Sequence, residues 1–178
     1  MIKNFVLLSV FIAIESLVFG SICRATEATK EIQTIQWTFE NEQAGKIPVG
    51  ATVFAGNWAV RAESDGLNST NVLCQTGYAD YPALSFSDKF YSDVIVAVRF
   101  KPVSGESDRA AGIIFRIQDK DNYYILRANA LEDNVNIYKY VEGMRKVIQE
   151  GSAKVASGTW QELRMEVKGN LIRGFLDG

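Results

Sequence analysis

Apolar and polar residues alternate with a period of two along most of the chain, which is typical of half-buried β-strands and not of amphipathic helices. Short stretches rich in Gly, Asn, Asp and Ser separate the alternating runs, as turns require. The runs are TIQWTFE, NWAVRAE, NVLCQT, ALSFS, DVIVAVRFKPV, AAGIIFRIQD, NYYILRANA, NVNIYKY, RKVIQEG, TWQELRMEVK and NLIRGFLD. Eleven short strands at this spacing, with no long helical pattern, predict an all-β fold, an antiparallel β-sandwich or barrel.

Two of these runs also predict their own place in a sheet. Residues 92–100, SDVIVAVRF, are largely apolar on both faces, which is typical of a strand buried between layers near the middle of a sheet. Residues 159–167, TWQELRMEV, alternate Leu, Met and Val with charged residues. This second strand should therefore have one dry face and one wet face.

The N-terminal residues 1–25 have the pattern of a secretory signal peptide. Lys3 supplies a positive start, FVLLSVFIAI and SLVFG supply an apolar helical stretch, and Cys23 and Ala25 supply small residues for cleavage after Ala25. Glu15 argues against a transmembrane helix, because a carboxylate in the middle of a bilayer costs roughly 2.5–3.5 kcal/mol. A lipid anchor on Cys23 is an alternative. We expect a secreted, periplasmic or cell-surface protein.

The rest of the chain divides into a short lead-in and one domain. Residues 26–34 are polar and are expected to be flexible, and residues 35–178 are expected to form a single β domain. The final run ends on Asp177-Gly178, a pair that usually begins a hairpin turn, so another strand is expected after it. We expect this domain to be incomplete, or its last strand to be unpaired on one side.

Charge and composition exclude several classes of function. The net charge is −2, and the Lys and Arg residues are scattered, which argues against nucleic acid or an anionic membrane as a partner beyond the export step. The chain has no histidine, which excludes Ser-His-Asp and Cys-His catalysis and imidazole-based zinc sites. Cleavage after Ala25 would leave Cys74 as the one cysteine, so no disulfide framework is expected, and Cys74 should be a small buried residue on a strand.

One face of three neighbouring predicted strands is rich in Arg, Asn, Gln and Tyr. Guanidinium and amide groups form paired hydrogen bonds with hydroxyl groups, and aromatic rings pack against the C–H face of a sugar. The face therefore predicts a carbohydrate-binding surface, and a solvated outer face of the sheet is the alternative. The candidate ligand-binding residues are Arg116, Gln118, Arg127, Asn129, Asn136 and Tyr138.

Catalytic and metal-binding candidates are fewer. Without histidine, a hydrolase of this fold would use paired carboxylates, and Glu132 in the loop beside the polar face is the candidate. A turn with solvated acids is the alternative interpretation. Asp119 and Asp121, in QDKDN, could supply hard oxygen ligands to a structural calcium ion, or they could simply form the turn. No other cofactor is expected.

The segments GIIFRIQDKDNYYILRANALEDNVNIYKYVEGMRKVI and GTWQELRMEVKGNLIRGFLDG resemble the concanavalin A-like lectin/glucanase superfamily. More narrowly, they are similar to exported bacterial domains of the laminin-G-like and 3-keto-disaccharide hydrolase type. With the opening WTFENEQAGKIPVGATVFAGNWAV, the resemblance covers about residues 36–178. It implies a jelly roll of two curved antiparallel sheets whose concave face holds glycans, and further strands after FLDG. The E-x-D-x-x-E arrangement of family-16-type glucanases does not occur, so no catalytic pair is carried over.

These patterns together predict an exported carbohydrate-binding jelly-roll domain that uses the polar concave face of one sheet. One alternative is a carbohydrate hydrolase of the 3-keto-disaccharide hydrolase or glycoside hydrolase type. A second alternative is a laminin-G-like adhesive module with protein partners.

Overall fold

The computed structural model describes residues 4–16, 31–64, 69–86 and 90–178. These residues form thirteen β-strands and no helix. The strands are β1 (Asn4–Ser16), β2 (Glu31–Thr38), β3 (Thr52–Ala55), β4 (Asn57–Ser64), β5 (Ser69–Thr76), β6 (Ala83–Ser85), β7 (Val94–Ser104), β8 (Ala110–Asp119), β9 (Asn122–Asn129), β10 (Asn134–Val141), β11 (Met144–Gln149), β12 (Gln161–Lys168) and β13 (Leu171–Leu176). Within this part of the chain, no helix has the length and apolarity needed to cross a membrane.

The predicted all-β fold is confirmed. Each of the eleven runs with period-two alternation coincides with a strand, from β2 and β4 through to β13. The strand β3 was not predicted, because four residues are too few for an alternation to show.

All strands pair antiparallel, in two main sheets and one small one. The seven-stranded sheet has the order β13-β12-β7-β1-β5-β4, and β2 also pairs with β1. The four-stranded sheet has the order β11-β10-β9-β8, while β3 and β6 form a two-stranded sheet. As predicted, β7 lies inside its sheet with a partner on each side, and β12 alternates buried and half-buried residues.

The two main sheets pack face to face around one hydrophobic core, which makes the described part of the chain a β-sandwich. The alternation of side chains along each strand gives each sheet one face in this core. The seven-stranded sheet contributes Trp58, Val60, Leu73, Val96, Val98, Phe100, Leu163, Met165 and Val167, and the four-stranded sheet contributes Ala111, Ile113, Phe115, Leu126 and Ala128. The second face of the four-stranded sheet is therefore not needed for the core.

The N-terminal segment differs from its prediction where it is described. Residues 4–16 of the expected signal helix form the strand β1, which pairs with β7 on one side and with β5 and β2 on the other. An apolar run of this kind suits a central strand as well as a signal sequence, because both are apolar all round. The strand β2 begins at Glu31, inside the polar segment predicted to be a flexible lead-in. Residues 17–30 lie outside the described residues.

Two local features position side chains near the second face of the four-stranded sheet. Arg116 has a φ of 49°, and the regular pairing of β8 with β9 is interrupted between Phe115 and Asp119, as at a β-bulge. Gly56, at a φ of +94°, lets Pro82 pack so closely that a Cβ at Gly56 would lie 2.6 Å from the Pro82 Cβ. This contact fixes the loop that carries Tyr81.

Candidate functional site

The face of the four-stranded sheet opposite the core is polar but buried. In β9, Leu126 packs in the core, so Arg127 and Asn129 point to the opposite face. Their exposed fractions are 8% and 0%, and that of Asn136 in β10 is 4%. We call this surface the polar face; it carries Tyr123, Arg127, Asn129, Asn136, Tyr138 and Tyr140. A fully solvated face, the alternative considered from the sequence, does not fit this burial.

Arg127 lies between two carboxylates. Its Nη1 is 3.4 Å from the Asp108 Oδ1, and its Nη2 donates to the Glu132 Oε2 at 2.5 Å. Its guanidinium carbon is 5.4 Å from the centre of the Tyr138 ring, while its buried Nε has no hydrogen-bond partner among the residues that the structure describes. The guanidinium carbon of Arg145 also lies against the Tyr138 ring, 4.8 Å from the ring centre. We call these five residues the Arg127 cluster: Asp108, Arg127, Glu132, Tyr138 and Arg145.

Tyrosine rings surround the cluster. Tyr123 and Tyr140 are stacked with ring centres 4.5 Å apart, and Tyr81 meets Tyr140 edge-on at 5.0 Å. Arg145 also lies 5.2 Å from the Tyr81 ring. These rings come from β9, β10 and the loop before β6, so the tertiary fold, and not one local motif, assembles them.

Burial raises the pKa values of the two stacked phenols. It raises the pKa of Tyr123 to about 12, against the smaller opposing effect of a hydrogen bond with Tyr140. Burial also raises the pKa of Tyr140 well above its ordinary value. Both hydroxyl groups are therefore protonated at physiological pH, and one of the two O–H groups is engaged in the hydrogen bond between them.

A cavity of about 660 Å³ opens beside the cluster. Arg127, Tyr138, Tyr140, Arg145 and Tyr81 line it, together with apolar residues on both sides of β8. β8 is at the edge of its sheet, and the cavity follows this edge. A volume of this size is typical of pockets for small ligands.

The two buried amides orient their neighbours. The Asn129 Nδ2 donates to the Asp108 Oδ1 at 2.7 Å, which holds the carboxylate that faces Arg127. The Asn136 Nδ2 donates to the Tyr138 hydroxyl at 2.8 Å, and the Asn136 Oδ1 accepts from the Gly151 N–H. Asn129 and Asn136 thus have a supporting role in the site, because the polar atoms of their side chains already form hydrogen bonds within the protein.

The structure brings together four of the six predicted ligand-binding residues, Arg127, Asn129, Asn136 and Tyr138. Arg116 also lines the cavity, but its exposed side chain lies over the Tyr124 ring at 5.7 Å and donates to the Gly169 carbonyl oxygen. Gln118 is exposed near the end of the hairpin. The bulge in β8 interrupts the alternation that placed these two residues beside Arg127 in the prediction.

Five residues of the site were not among the candidates: Tyr81, Asp108, Tyr123, Tyr140 and Arg145. Asp108 and Tyr81 lie in loops, whose conformation leaves no periodic pattern in a sequence. Arg145 pairs with Tyr140 across the β10–β11 hairpin and so shares its face. The short VEGM turn between these strands was the signal that could have identified Arg145.

Glu132, the candidate catalytic acid, has the environment of an ionised group. Burial acts to raise its pKa, but the Asn134 hydrogen bond and the Arg127 charge outweigh it, so the pKa is lowered. A general acid needs a raised pKa to carry a proton at physiological pH. Glu132 is therefore suited to accepting hydrogen bonds and not to donating a proton.

The two calcium candidates take part in the turn between β8 and β9. The Asp119 carboxylate accepts hydrogen bonds from the Asp121 N–H at 2.8 Å and from the Asn122 Nδ2 at 2.9 Å. The Asp121 Oδ2 pairs with the Lys120 Nζ at 2.6 Å. In the described part of the chain, no three Asp, Glu or Cys side chains form a group that could hold a metal ion. A calcium site at Asp119 and Asp121 stays a prediction.

Comparison with known proteins does not identify a family for this chain. No family model matches the chain, and no curated protein matches its sequence. The structure is similar to that of the carbohydrate-binding module CBM66 from Bacillus subtilis, with 19% sequence identity and a TM-score of 0.46. The similarity covers 72% of this chain and 74% of that one. Because identity and TM-score are both low, we infer neither fold nor function from it.

The lowered pKa of Glu132 predicts how the site responds to acid. A carboxyl group whose pKa is lower in the folded than in the unfolded chain stabilises the fold above its unfolded pKa, roughly 4.3. That contribution is lost as the pH falls through the folded pKa. The substitution Glu132→Gln removes the titrating group, so the free energy of unfolding should fall less steeply below roughly pH 4.3 than in the wild type. Urea denaturation across this pH range measures it.

The exposed Glu150 provides a matched control for this measurement. Glu150→Gln should keep the wild-type dependence of stability on pH. An unchanged pH dependence in Glu132→Gln would contradict the ion pair between Glu132 and Arg127.

Proposed function

We propose that this chain is an exported carbohydrate-binding domain and that the cavity over the Arg127 cluster holds the sugar. The proposal includes a jelly roll of the concanavalin A-like type, which the sequence resemblance and the two antiparallel sheets with one core support. The observation that carries the function is the buried Arg127 between two carboxylates, at the wall of a cavity lined with tyrosines.

The groups in this cavity match the chemistry of a sugar. A sugar presents hydroxyl groups, which donate and accept hydrogen bonds, and patches of C–H groups. Asp108, which lines the cavity, can accept from hydroxyl groups, and the buried Nε of Arg127 is a donor without a partner among the described residues. The Tyr81 and Tyr138 rings supply apolar surface with a polar tip.

The energetics of burial also support a role in recognition. Arg127 is buried, whereas Asp108 and Glu132 remain partly exposed. A buried guanidinium loses its hydration, and an apolar side chain of similar volume often gives equal or greater stability. Because stability alone does not favour an arginine at this buried position, ligand recognition explains the presence of Arg127 better than packing does. Arg127 and Asp108 line the cavity without being part of the hydrophobic core, which agrees with this interpretation.

The two alternatives from the sequence fit the site less well. A glycoside hydrolase of the carboxylate type needs one acid that is protonated at its working pH, whereas Glu132 is ionised and paired with Arg127. A laminin-G-like adhesive module would present its contact residues on an open surface. The Arg127 cluster lies instead along a cavity with Tyr81 over it, which suits a small ligand.

Replacing Arg127 tests the proposed function. Arg127→Lys keeps the positive charge but loses the planar pair of donors. We expect about tenfold weaker binding, or more, of the oligosaccharides that a glycan array identifies as wild-type ligands. Isothermal titration calorimetry measures the affinity, and thermal unfolding shows whether the variant remains folded.

Arg99→Lys is the matched control. Arg99 also lies over an aromatic ring, at 5.9 Å from the centre of Trp160, but on the outer face of the seven-stranded sheet. Its replacement should leave the affinity unchanged. Equal affinity of the folded Arg127→Lys variant and the wild type would reject the site.

Export makes a separate prediction about the mature chain. If residues 1–25 are a signal peptide, the protein recovered from its native compartment begins at Thr26 and lacks β1. Intact-mass spectrometry of that protein determines where it begins. A chain that keeps residues 4–16 would contradict the signal peptide and would agree with β1 as a permanent strand between β7 and β5.

A further inference from the structure

We infer that the sugar bound in this cavity is acidic and that Arg145 binds its carboxylate. The inference rests on the proposed carbohydrate-binding function and adds the class of ligand. A uronic acid, in which a carboxylate replaces the terminal hydroxymethyl group of the sugar, has the required chemistry.

The cluster has two guanidinium groups and two carboxylates, but both carboxylates contact the same guanidinium. Arg127 has both carboxylates of the cluster, Asp108 at 3.4 Å and Glu132 at 2.5 Å. Arg145 has no carboxylate within the 4.0 Å of an ion pair among the residues that the structure describes. Asp108 acts on Arg145 only at longer range. Among the described residues, Arg145 is thus a cation of the site that has no carboxylate in direct contact.

Aromatic rings hold this cation at the cavity. The Arg145 guanidinium lies 4.8 Å from the Tyr138 ring centre and 5.2 Å from the Tyr81 ring centre. Such contacts stabilise a guanidinium without neutralising its charge. A guanidinium has five N–H donors, so the hydrogen bond that Arg145 shares with the Tyr140 hydroxyl leaves others available. Arg145 lines the cavity, and its residue remains exposed to solvent.

The shape of the guanidinium favours a carboxylate as the missing partner. Two parallel N–H groups of an arginine match the two oxygens of a carboxylate, and such paired, charge-assisted hydrogen bonds are stronger than neutral ones. A neutral sugar would satisfy the donors but leave the charge of Arg145 unpaired. The carboxylate of an acidic sugar would pair directly with Arg145, so that each guanidinium of the cluster would have a carboxylate in contact.

The experiment compares acidic sugars with their own neutral forms. The probes are short oligosaccharides of glucuronate, galacturonate and mannuronate, each paired with its carboxyl-reduced counterpart, in which only the charged group changes. Titration calorimetry with the full chain should show at least one acidic probe that binds about tenfold more tightly than its reduced form, or better. In Arg145→Ala, the affinities of the two forms should agree within about twofold.

Two further variants separate the role of Arg145 from charge in general. Arg145→Lys keeps the charge without the planar pair of donors and should lose most of the preference. Lys146→Ala removes a neighbouring cation; Lys146 pairs with Lys139, whose side chain lies on the opposite face of the sheet, so the preference should remain. A loss of preference in Lys146→Ala equal to that in Arg145→Ala would show an unspecific charge effect and would overturn the inference.

The remaining outcomes distinguish this inference from the proposed function. Equal binding of acidic and reduced probes by the wild type would overturn the acidic ligand and leave carbohydrate binding intact. Equal binding of a 6-O-sulfated neutral probe and the acidic probe would overturn the assignment to a carboxylate. If neither acidic nor neutral sugars bind, both proposals are wrong.

Discussion

The ion pairs of Arg127 with Asp108 and Glu132 are the interaction on which the site depends. Asp108 lies in the loop before β8, Arg127 lies in β9, and Glu132 lies in the loop after β9. The Arg127 guanidinium therefore connects two loops to a strand, and it also packs against the Tyr138 ring. Because a buried charge without partners is very costly, any change that removes one of these groups disturbs the others.

The β-sandwich places the core and the site on opposite faces of the four-stranded sheet, so that neighbouring residues of one strand belong to different environments. Leu126 is buried in the core, whereas Arg127, the next residue, faces the cavity. A shift of one residue in the pairing of β9 with β10 would put the leucine in the cavity and the arginine in the core. The strand register that places Leu126 in the core therefore also places Arg127 at the cavity. The tyrosine rings and Arg145 then close the polar face, which explains how a face outside the core becomes buried.

Much of the fold could be predicted from the sequence, because period two is a direct consequence of strand geometry. The alternation in β9 and β10 identified Arg127, Asn129, Asn136 and Tyr138 as neighbours on one face, and the structure places them so. The same reasoning failed at Arg116, where a positive φ ends the regular alternation. Asp108 and Tyr81 could not be predicted, since loops have no period, and the supporting roles of Asn129 and Asn136 depend on hydrogen bonds that only a tertiary structure shows. The apolar run at residues 4–16 could not be assigned to a strand from the sequence, because a signal sequence and a central strand share one pattern.

Nuclear magnetic resonance of the arginine side chains tests the central claim most directly. The Arg127 Nε is buried beside the cavity and has no hydrogen-bond partner in the described part of the chain, while Arg99 lies on the outer face of the other sheet. During titration with a glycan that the protein binds, the account predicts that the Arg127 Nε–H resonance shifts to saturation and that the Arg99 resonance stays in place. A saturating ligand that moves the Arg99 resonance, or the indole resonance of Trp160, and leaves Arg127 unchanged would contradict it.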